Sequence, residues 1–151
     1  MRLYLNRVLT CLTIFASLGI SLPGHAESAK EFGDYTIHYT AFRSDTLEPE
    51  VARAYDLTRR NNRIIVNIAV LKKVMGTTGT PTAAKVEGQA SNLTGQLKQL
   101  DFREIKEGTA VYYLAEVKIS DGEFLKFDLS VTPEGGSEAA RIRFDKRFFT
   151  Y

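Results

Sequence analysis

The sequence predicts an all-β fold, an antiparallel immunoglobulin-like β-sandwich of about seven strands with one short helix. Two observations lead to this prediction. Most segments after residue 26 alternate between apolar and polar side chains with a period of two, and turn-forming Gly, Pro, Asn and Asp residues separate them. One-sided alternation disfavours a buried parallel sheet, whose strands are apolar on both faces. A β-barrel is the second choice.

Seven segments show this alternation. Their apolar positions are Tyr35, Ile37 and Tyr39; Ile64, Val66, Ile68 and Val70; Ala84, Val86 and Ala90; Leu100 and Phe102; Val111, Tyr113, Ala115, Val117 and Ile119; Leu125, Phe127, Leu129 and Val131; and Ala140, Ile142, Phe144 and Phe148. Ile105 departs from the parity of the fourth segment, which predicts a bulge or a strand end near Arg103. Asp121-Gly122 suits a two-residue turn, so we expect the fifth and sixth strands to pair as a hairpin.

One segment does not alternate. Residues 47–56 (LEPEVARAYD) have acidic residues and a proline at their start and alanines inside, which predicts two turns of helix with Thr46 or Glu48 as the cap. This helix lies in the connection between the first two predicted strands, and we expect it to cross one end of the sandwich. Because there is no internal repeat or long linker, we interpret residues 27–151 as one domain.

The first 26 residues have the three parts of a secretory signal peptide. Arg2 and Arg7 form a positively charged start, residues 8–22 are uncharged and mostly apolar, and small residues precede a cleavage site between Ala26 and Glu27. The apolar run of about 15 residues is shorter than the roughly 20 that span a bilayer. We therefore predict a periplasmic protein that is exported, cleaved and left without a stable membrane span. An uncleaved membrane anchor is the alternative.

Removing this segment changes the charge and the cysteine content. The formal charge of +2 comes from Arg2 and Arg7, so residues 27–151 are neutral and give no argument for binding nucleic acid. The single cysteine, Cys11, is removed as well, which excludes disulfides and thiol chemistry in the mature chain. Only one histidine, His38, and one methionine, Met75, remain. We therefore expect no metal centre and no cofactor.

The mature chain is poor in catalytic groups, and we expect a protein that is not an enzyme. As a general base, His38 needs a nucleophile or carboxylate beside it, and the local spacing provides neither. The glycine-rich segment 76–82 lacks the lysine of a phosphate-binding loop. A ligand site at His38 is kept as an alternative, and it requires a pocket that gathers His38 with residues such as Tyr39, Asp101 or Tyr113.

Two surface features are candidates for an interaction surface. Arg141, Arg143 and Arg147 share one face of the last predicted strand, either as a patch for an anion or acidic partner or as charges that protect an edge strand from aggregation. Tyr112 and Leu114 place apolar side chains on a strand face that should otherwise be polar. Either a helix or loop of this chain packs there, or a partner does.

Seven stretches together carry a family resemblance. They are FGDY at 32–35, PEVA at 49–52, NIAVLKK at 67–73, NLTGQL at 92–97, FREI at 102–105, YYLAE at 112–116 and VTPEG at 131–135. As a set they resemble domain of unknown function 4426, a family of short exported proteobacterial proteins. The likeness covers nearly all of the mature chain. It implies a periplasmic β-sandwich, and it implies no activity and no functional residues.

These observations favour a non-catalytic binding or accessory module that contacts an unidentified protein of the cell envelope. The expected contact surfaces are an exposed edge strand, the face of Arg141, Arg143 and Arg147, and the end of the predicted helix. One alternative is a small-ligand carrier or weak hydrolase centred on His38. Another is a structural role in the integrity of the envelope.

Overall fold

The computed structural model describes residues 28–151, which form two antiparallel β-sheets, and the predicted all-β sandwich is confirmed. The predicted signal peptide, Met1–Ala26, lies outside the described residues. The strands are β1 (Ser28–Phe32), β2 (Tyr35–Arg43), β3 (Arg63–Lys72), β4 (Thr80–Pro81), β5 (Ala84–Asn92), β6 (Leu97–Gln99), β7 (Arg103–Glu107), β8 (Ala110–Lys118), β9 (Glu123–Pro133) and β10 (Ala140–Phe148). The helical parts are a 3-10 turn, Ser44–Thr46, and one helix, α1 (Pro49–Ala54).

The six-stranded sheet has the order β1-β2-β3-β8-β7, with β4 paired to β3, and the four-stranded sheet has the order β10-β9-β5-β6. The seven predicted strands correspond to β2, β3, β5, β7, β8, β9 and β10. The three further strands are short, and two of them contain only two or three residues. β1 is exposed over nearly its whole length, so its pairing to β2, not an apolar pattern of its own, makes it a strand.

The predicted hairpin of the fifth and sixth strands is wrong. The turn itself is present, because the Glu123 N–H donates to the Ser120 carbonyl at 3.2 Å and Gly122 has a φ of +67°. However, β8 pairs with β3 and β7, whereas β9 pairs with β5 and β10. The chain therefore passes from one sheet to the other at this turn. A hairpin and a crossing produce the same alternation, since both place one face of each strand in the core.

The chain crosses from one sheet to the other a second time before Ile105. Leu100 still belongs to the four-stranded sheet, where its N–H donates to the Gly88 carbonyl at 3.1 Å and its side chain is buried. β7 begins at Arg103 in the six-stranded sheet. The predicted strand start at Leu100 is therefore wrong, and Arg103 is where a strand begins, not the bulge or strand end that was predicted there. The parity changes because Ile105 packs beside Tyr112 in a second apolar cluster, on the face of the six-stranded sheet that points away from the other sheet.

The buried apolar residues form two clusters. The larger one fills the space between the sheets, and Phe127, Ile37, Ile68 and Leu129 are among its largest fully buried side chains. The smaller one, here called the outer cluster, lies on the outer face of the six-stranded sheet. Its buried members are Ala52, Leu57, Ile65 and Leu114, and Phe42, Leu47, Tyr55, Ile105 and Tyr112 pack against them.

The helix α1 belongs to the outer cluster, so the prediction that it crosses an end of the sandwich is wrong. Pro49 is its first residue and Glu48 is the N-cap by position, although the Glu48 side chain makes no capping hydrogen bond. The helix ends at Ala54 because Asp56 adopts a left-handed φ of +50° and the Leu57 N–H donates back to the Ala52 carbonyl at 2.8 Å. Leu57 thereby turns inward. No helix within residues 28–151 is long and apolar enough to cross a bilayer.

Candidate functional site

The outer cluster leaves a groove of about 200 Å³ between α1 and the six-stranded sheet, here called the α1 groove. It is lined by Phe42, Leu47, Val51, Tyr55, Leu57, Ile65, Asn67, Ile105, Glu107, Tyr112 and Leu114. Only Asn67, Glu107 and the hydroxyls of the two tyrosines are polar in this set. The α1 groove is therefore a mainly apolar concavity that remains open where the helix stops.

Strand register brings the sheet side of the groove together. Asn67 of β3 lies opposite Leu114 of β8, and Tyr112 of β8 lies opposite Ile105 of β7. Neighbouring strands are about 4.8 Å apart and alternate residues share a face, so these four side chains cover one continuous patch. Residues far apart in the sequence thus form one surface.

Hydrogen bonds hold the helical side of the groove against the sheet. Arg103 donates through Nη2 to the Tyr55 carbonyl at 2.6 Å and to the Asp56 carbonyl at 2.9 Å. The Tyr55 hydroxyl donates to Glu107 Oε2, and this bond raises the pKa of Tyr55. Arg59 donates through Nε to the Leu47 carbonyl at 2.8 Å. These contacts position both ends of the helical segment, so the groove exists before any ligand arrives.

One buried polar atom of the groove is unpaired. Asn67 Oδ1 has no hydrogen-bond partner, and Arg63 Nε is the one other buried side-chain atom in this condition among residues 28–151. A buried acceptor without a partner costs about 1–3 kcal/mol. The Asn67 side chain lies on β3 between Thr40 of β2 and Leu114 of β8. This oxygen is closed off from the groove and from solvent, so its missing hydrogen bond is a cost to the folded state.

Tyr112 and Leu114 both line the groove. Leu114 is 8% exposed and belongs to the outer cluster, so a helix of this chain packs over this part of the face. Tyr112 packs against the same cluster at its edge. Sequence reasoning did not name Asn67, Val51 or Ile105 as residues of a site, although it noted that Ile105 departs from the alternation. The available signal for Asn67 was a polar residue inside an apolar strand, which does not by itself indicate a site.

The predicted arginine face exists on the outer side of β10, but its charges are largely compensated. Arg141 donates to both carboxylate oxygens of Asp128, at 2.8 Å and 2.5 Å, and Arg143 lies 3.4 Å from the same carboxylate. The Arg141 guanidinium holds the pKa of Asp128 below its usual range. Arg147 lies over the Phe124 ring, 5.5 Å from its centroid, and donates to the Gly122 carbonyl at 2.8 Å.

A larger concavity of about 460 Å³ lies beside Arg141 and Asp128 on the outer face of the four-stranded sheet. Gln89, Gln99 and Ser130 are among its lining residues, so this face is polar and shallow. Arg141 and Asp128 already form an ion pair with each other, so the concavity has few charged groups left to bind a ligand. The α1 groove is smaller, but its walls are mainly apolar, and we therefore take it as the candidate site.

His38 lies on the other face of its sheet from Tyr39 and Tyr113, two of the residues with which a His38 site was expected. It is partly buried on the outer face of the six-stranded sheet, between Ala29 of β1 and Ala69 of β3. Tyr39 and Tyr113 pack in the cluster between the sheets, on the opposite face. The Tyr113 hydroxyl donates to Glu104 Oε2 at 2.8 Å, and burial raises the pKa of Tyr113 to about 12. The structure therefore does not bring His38 together with these tyrosines.

Potential metal ligands are also dispersed. Within residues 28–151, no group of three or more His, Cys, Asp and Glu side chains is close enough together to hold a metal ion. Lys98 and Glu123 form a largely buried ion pair that ties two strand ends together.

Fold and site together define a two-sheet β-sandwich with a helix-bounded apolar groove on one outer face. The family model described as "Domain of unknown function (DUF4426)" matches residues 29–151, and the chain belongs to this family. The resemblance stated from the sequence is thereby confirmed. No sequence among curated proteins matches the chain.

Solved structures show the same fold. A DUF4426 family protein from Pseudomonas aeruginosa PAO1, PA0388, is 36% identical with a TM-score of 0.70, and the match covers 82% of this chain and 94% of that one. FetP of uropathogenic E. coli strain F11, expressed in the periplasm of E. coli, is 11% identical with a TM-score of 0.57, covering 83% and 98%. A copper-bound FetP variant is 11% identical with a TM-score of 0.55, covering 80% and 93%. The FetP likeness shows the fold alone.

Proposed function

We propose that this chain is a non-catalytic binding module of the cell envelope that docks a partner protein in the α1 groove. The single observation that carries the proposal is the groove itself, an apolar concavity that the chain's own helix covers only in part. Exposed apolar surface of this kind is typical of interaction sites. The hydrogen bonds of Arg103, Tyr55 and Arg59 hold the groove open, which lowers the entropic cost of binding.

Export to the periplasm is part of this proposal. The three-part N-terminus, with a charged start, an apolar run and small residues before Glu27, supports it. The expression of FetP in the periplasm is in keeping with this location. The intact mass of the exported protein should correspond to a chain that starts at Glu27, and a mass that starts at Met1 would contradict it.

Photo-crosslinking in intact cells tests the docking site. A photoreactive amino acid replaces Val51, which is 39% exposed at the rim of the groove, and a matched control carries it at Lys85 on the four-stranded sheet. We expect one adduct of defined mass from position 51 and none from position 85. The adduct should disappear when Tyr112→Ala removes one wall of the groove.

Two results would contradict the proposal. One is the same adduct from positions 51 and 85, which would indicate non-specific capture. The other is an adduct at position 51 that survives Tyr112→Ala in a protein whose circular dichroism and melting temperature match those of the parent, because the groove would then not be what the partner contacts.

A further inference from the structure

We infer that Lys30 and Lys146 together close the free edge of β10 to strand addition, and that the partner this edge takes once both charges are removed is a second copy of the chain. The inference is independent of the α1 groove, which lies on the outer face of the six-stranded sheet. It rests on the free edge of β10, on the paths of the two lysine side chains and on the charge pattern of β10.

β10 is an edge strand of nine residues, and within residues 28–151 it pairs with β9 alone. The Arg141 carbonyl accepts a hydrogen bond from Lys30 of the other sheet, so this carbonyl points away from β9. Because backbone groups alternate in direction along an antiparallel strand, those of Arg143 and Asp145 also point to the free side. A long edge of this kind is a template for pairing with another chain.

Both lysines leave their strands on the face that packs between the sheets. Lys30 of β1 lies opposite Ile37 of β2, and Lys146 of β10 lies opposite Leu125 of β9. Residues directly opposite each other share a face of the sheet, and Ile37 and Leu125 are fully buried in the cluster between the sheets. Each lysine therefore starts toward the core, and its long side chain carries the ammonium to the open side of the sandwich.

Each ammonium bridges the two sheets at that open side. Lys30 Nζ donates to the Arg141 carbonyl of β10 at 2.7 Å, and Lys146 Nζ donates to the Ala41 carbonyl of β2 at 2.7 Å. The Lys146 ammonium also lies 5.7 Å from the centroid of the Phe148 ring, and burial lowers the pKa of Lys146. A strand added to β10 would break these bonds and enclose two charges, which is costly. Inward-pointing charges protect the edge strands of many sheets in this way.

The charge pattern of β10 shows which strand would fit its free edge. When two copies of β10 pair antiparallel about Phe144, Arg143 of each copy lies opposite Asp145 of the other. Opposite charges that face each other across two strands are favourable. The like charges of Arg141 and Arg147 meet only at the two ends of the paired stretch. A second copy of the chain is therefore complementary at the centre of this edge.

The same register explains why the lysines, and not the outer arginines, keep the edge closed. It places Lys146 of one copy opposite Ile142 of the other, on the core-facing side. The ammonium would be enclosed between the two joined sheets without its bond to the Ala41 carbonyl. The arginines lie on the outer side, where water still reaches them after pairing.

Sedimentation equilibrium of the mature protein tests the inference with a Lys30→Met/Lys146→Met variant, which keeps the length of both side chains and removes both charges. We expect its apparent mass to double at concentrations where the parent is a monomer. Each single change should tighten self-association by roughly tenfold, the effect of one hydrogen bond from a charged group. Lys126→Met is the control, because Lys126 is exposed on the outer face of the central strand β9, and it should stay a monomer.

Two further measurements locate the association at the edge. Arg143→Pro removes an N–H that points away from β9, so it should return the double variant to a monomer without loss of a bond to β9. In the unmodified protein, the amides of Arg143 and Asp145 should exchange with solvent roughly 100-fold faster than those of Ile142 and Phe144, which bond to β9.

Four outcomes would overturn the inference. They are a folded double variant that stays a monomer, a dimer that survives Arg143→Pro, equal dimerisation by the Lys126→Met control, and slow exchange of the Arg143 and Asp145 amides in the unmodified protein, which would mean that the edge is already paired. If the double variant does not fold, the two single variants and the exchange rates decide. None of these results depends on the adduct at position 51, so this inference and the proposed function can fail separately.

Discussion

Gly88 shows at the scale of one residue how closely the strands of the four-stranded sheet pack. Its φ is ordinary, so the glycine is not needed for backbone conformation. A Cβ at this position would lie 2.5 Å from Leu129 Cδ2, 2.8 Å from the Asp128 carbonyl oxygen and 3.0 Å from Leu129 Cα. Two of these three atoms belong to the backbone of β9, which cannot move without disturbing the ladder. The missing side chain therefore allows β5 and β9 to approach here.

We expect Gly88→Ala to lower the free energy of unfolding by about 1–3 kcal/mol, the usual cost of adding a methyl group where there is no space. Urea unfolding followed by circular dichroism measures the change. Glu87→Ala is the control, because Glu87 is exposed on the same strand and its loss should change stability by no more than about 0.5 kcal/mol. Equal stabilities for Gly88→Ala and the parent would show that β9 can retreat.

Residue-scale prediction from sequence had a clear limit in the candidate site. Tyr112 and Leu114 were recognised because apolar side chains stood where alternation calls for polar ones. Asn67 was not recognised, because a single polar residue in a strand is equally compatible with a solvent-exposed face and with a binding site. Only the folded structure shows that its amide oxygen is buried and unpaired and that its side chain lies beside a groove.

At the scale of elements, a small polar network fixes the corner where the chain leaves β8 for β9. Lys98 of β6 donates to Glu123 of β9 at 2.9 Å and to the Lys118 carbonyl at the end of β8 at 2.7 Å. The Ser120 N–H and the Asn92 amide also donate to the Glu123 carboxylate. The network joins the two sheets, since β8 belongs to one and β6 and β9 to the other.

The charge of Glu123 makes this corner sensitive to pH. Burial of the side chain, which is 9% exposed, raises its pKa, but the hydrogen bonds from Lys98, Ser120 and Asn92 outweigh burial and hold the pKa below the usual 4.5. Because the folded state has the lower pKa, the stabilisation is fully present above about pH 4.5 and is lost as the pH falls through the folded value.

We expect Glu123→Gln to lower the free energy of unfolding at pH 7 by about 2 kcal/mol, since Lys98 loses its charged partner. The difference between variant and parent should shrink below pH 4.5, where the parent carboxyl becomes protonated as well. Urea titrations from pH 3 to pH 7 measure this, with Glu50→Gln on the exposed face of α1 as the control. A difference that stays constant over this range would contradict the assignment.

The sequence predicted the bounds of most strands correctly, because the alternating pattern lies within each strand. It did not predict which strands pair, because pairing depends on contacts between strands. The bounds of β2, β3, β5, β8, β9 and β10 agree closely with the alternating segments, because each strand buries one face. The pairing of β8 with β3 instead of β9 was missed, because Asp121-Gly122 makes the same tight turn in a hairpin and in a crossing.

At the scale of the whole molecule, the two apolar clusters differ in how much structure they support. The cluster between the sheets contains residues from most strands, whereas the outer cluster depends on a six-residue helix with one buried side chain, Ala52. An isolated helix of this length is not stable without tertiary contacts. The helical segment should therefore open locally while the sheets stay folded.

Hydrogen exchange measures this difference directly. We expect the amides of Ala52 and Tyr55, whose helical bonds measure 3.1 Å and 3.2 Å, to exchange roughly 100-fold faster than those of Val66 and Ile68 in β3. Ile65→Ala serves as the control, because Ile65 is fully buried on β3 and its loss should accelerate exchange in both regions. Equal protection of α1 and β3 would show that the helix and the sheets unfold as one unit.

The sequence by itself determined the class of fold, the helix near Pro49 and the family, because each of these depends on residues that are neighbours or recur at short range. Side-chain alternation indicates which face of a strand is buried, and a proline with acidic residues beside it indicates where a helix begins. The tertiary structure alone decided which strands share a sheet, that α1 lies on an outer face, and that Asn67 faces a groove. Those properties depend on contacts between segments that are distant in the sequence. The free energy of these contacts decides which arrangement of the strands and helix forms, and the pattern of a single segment does not show it.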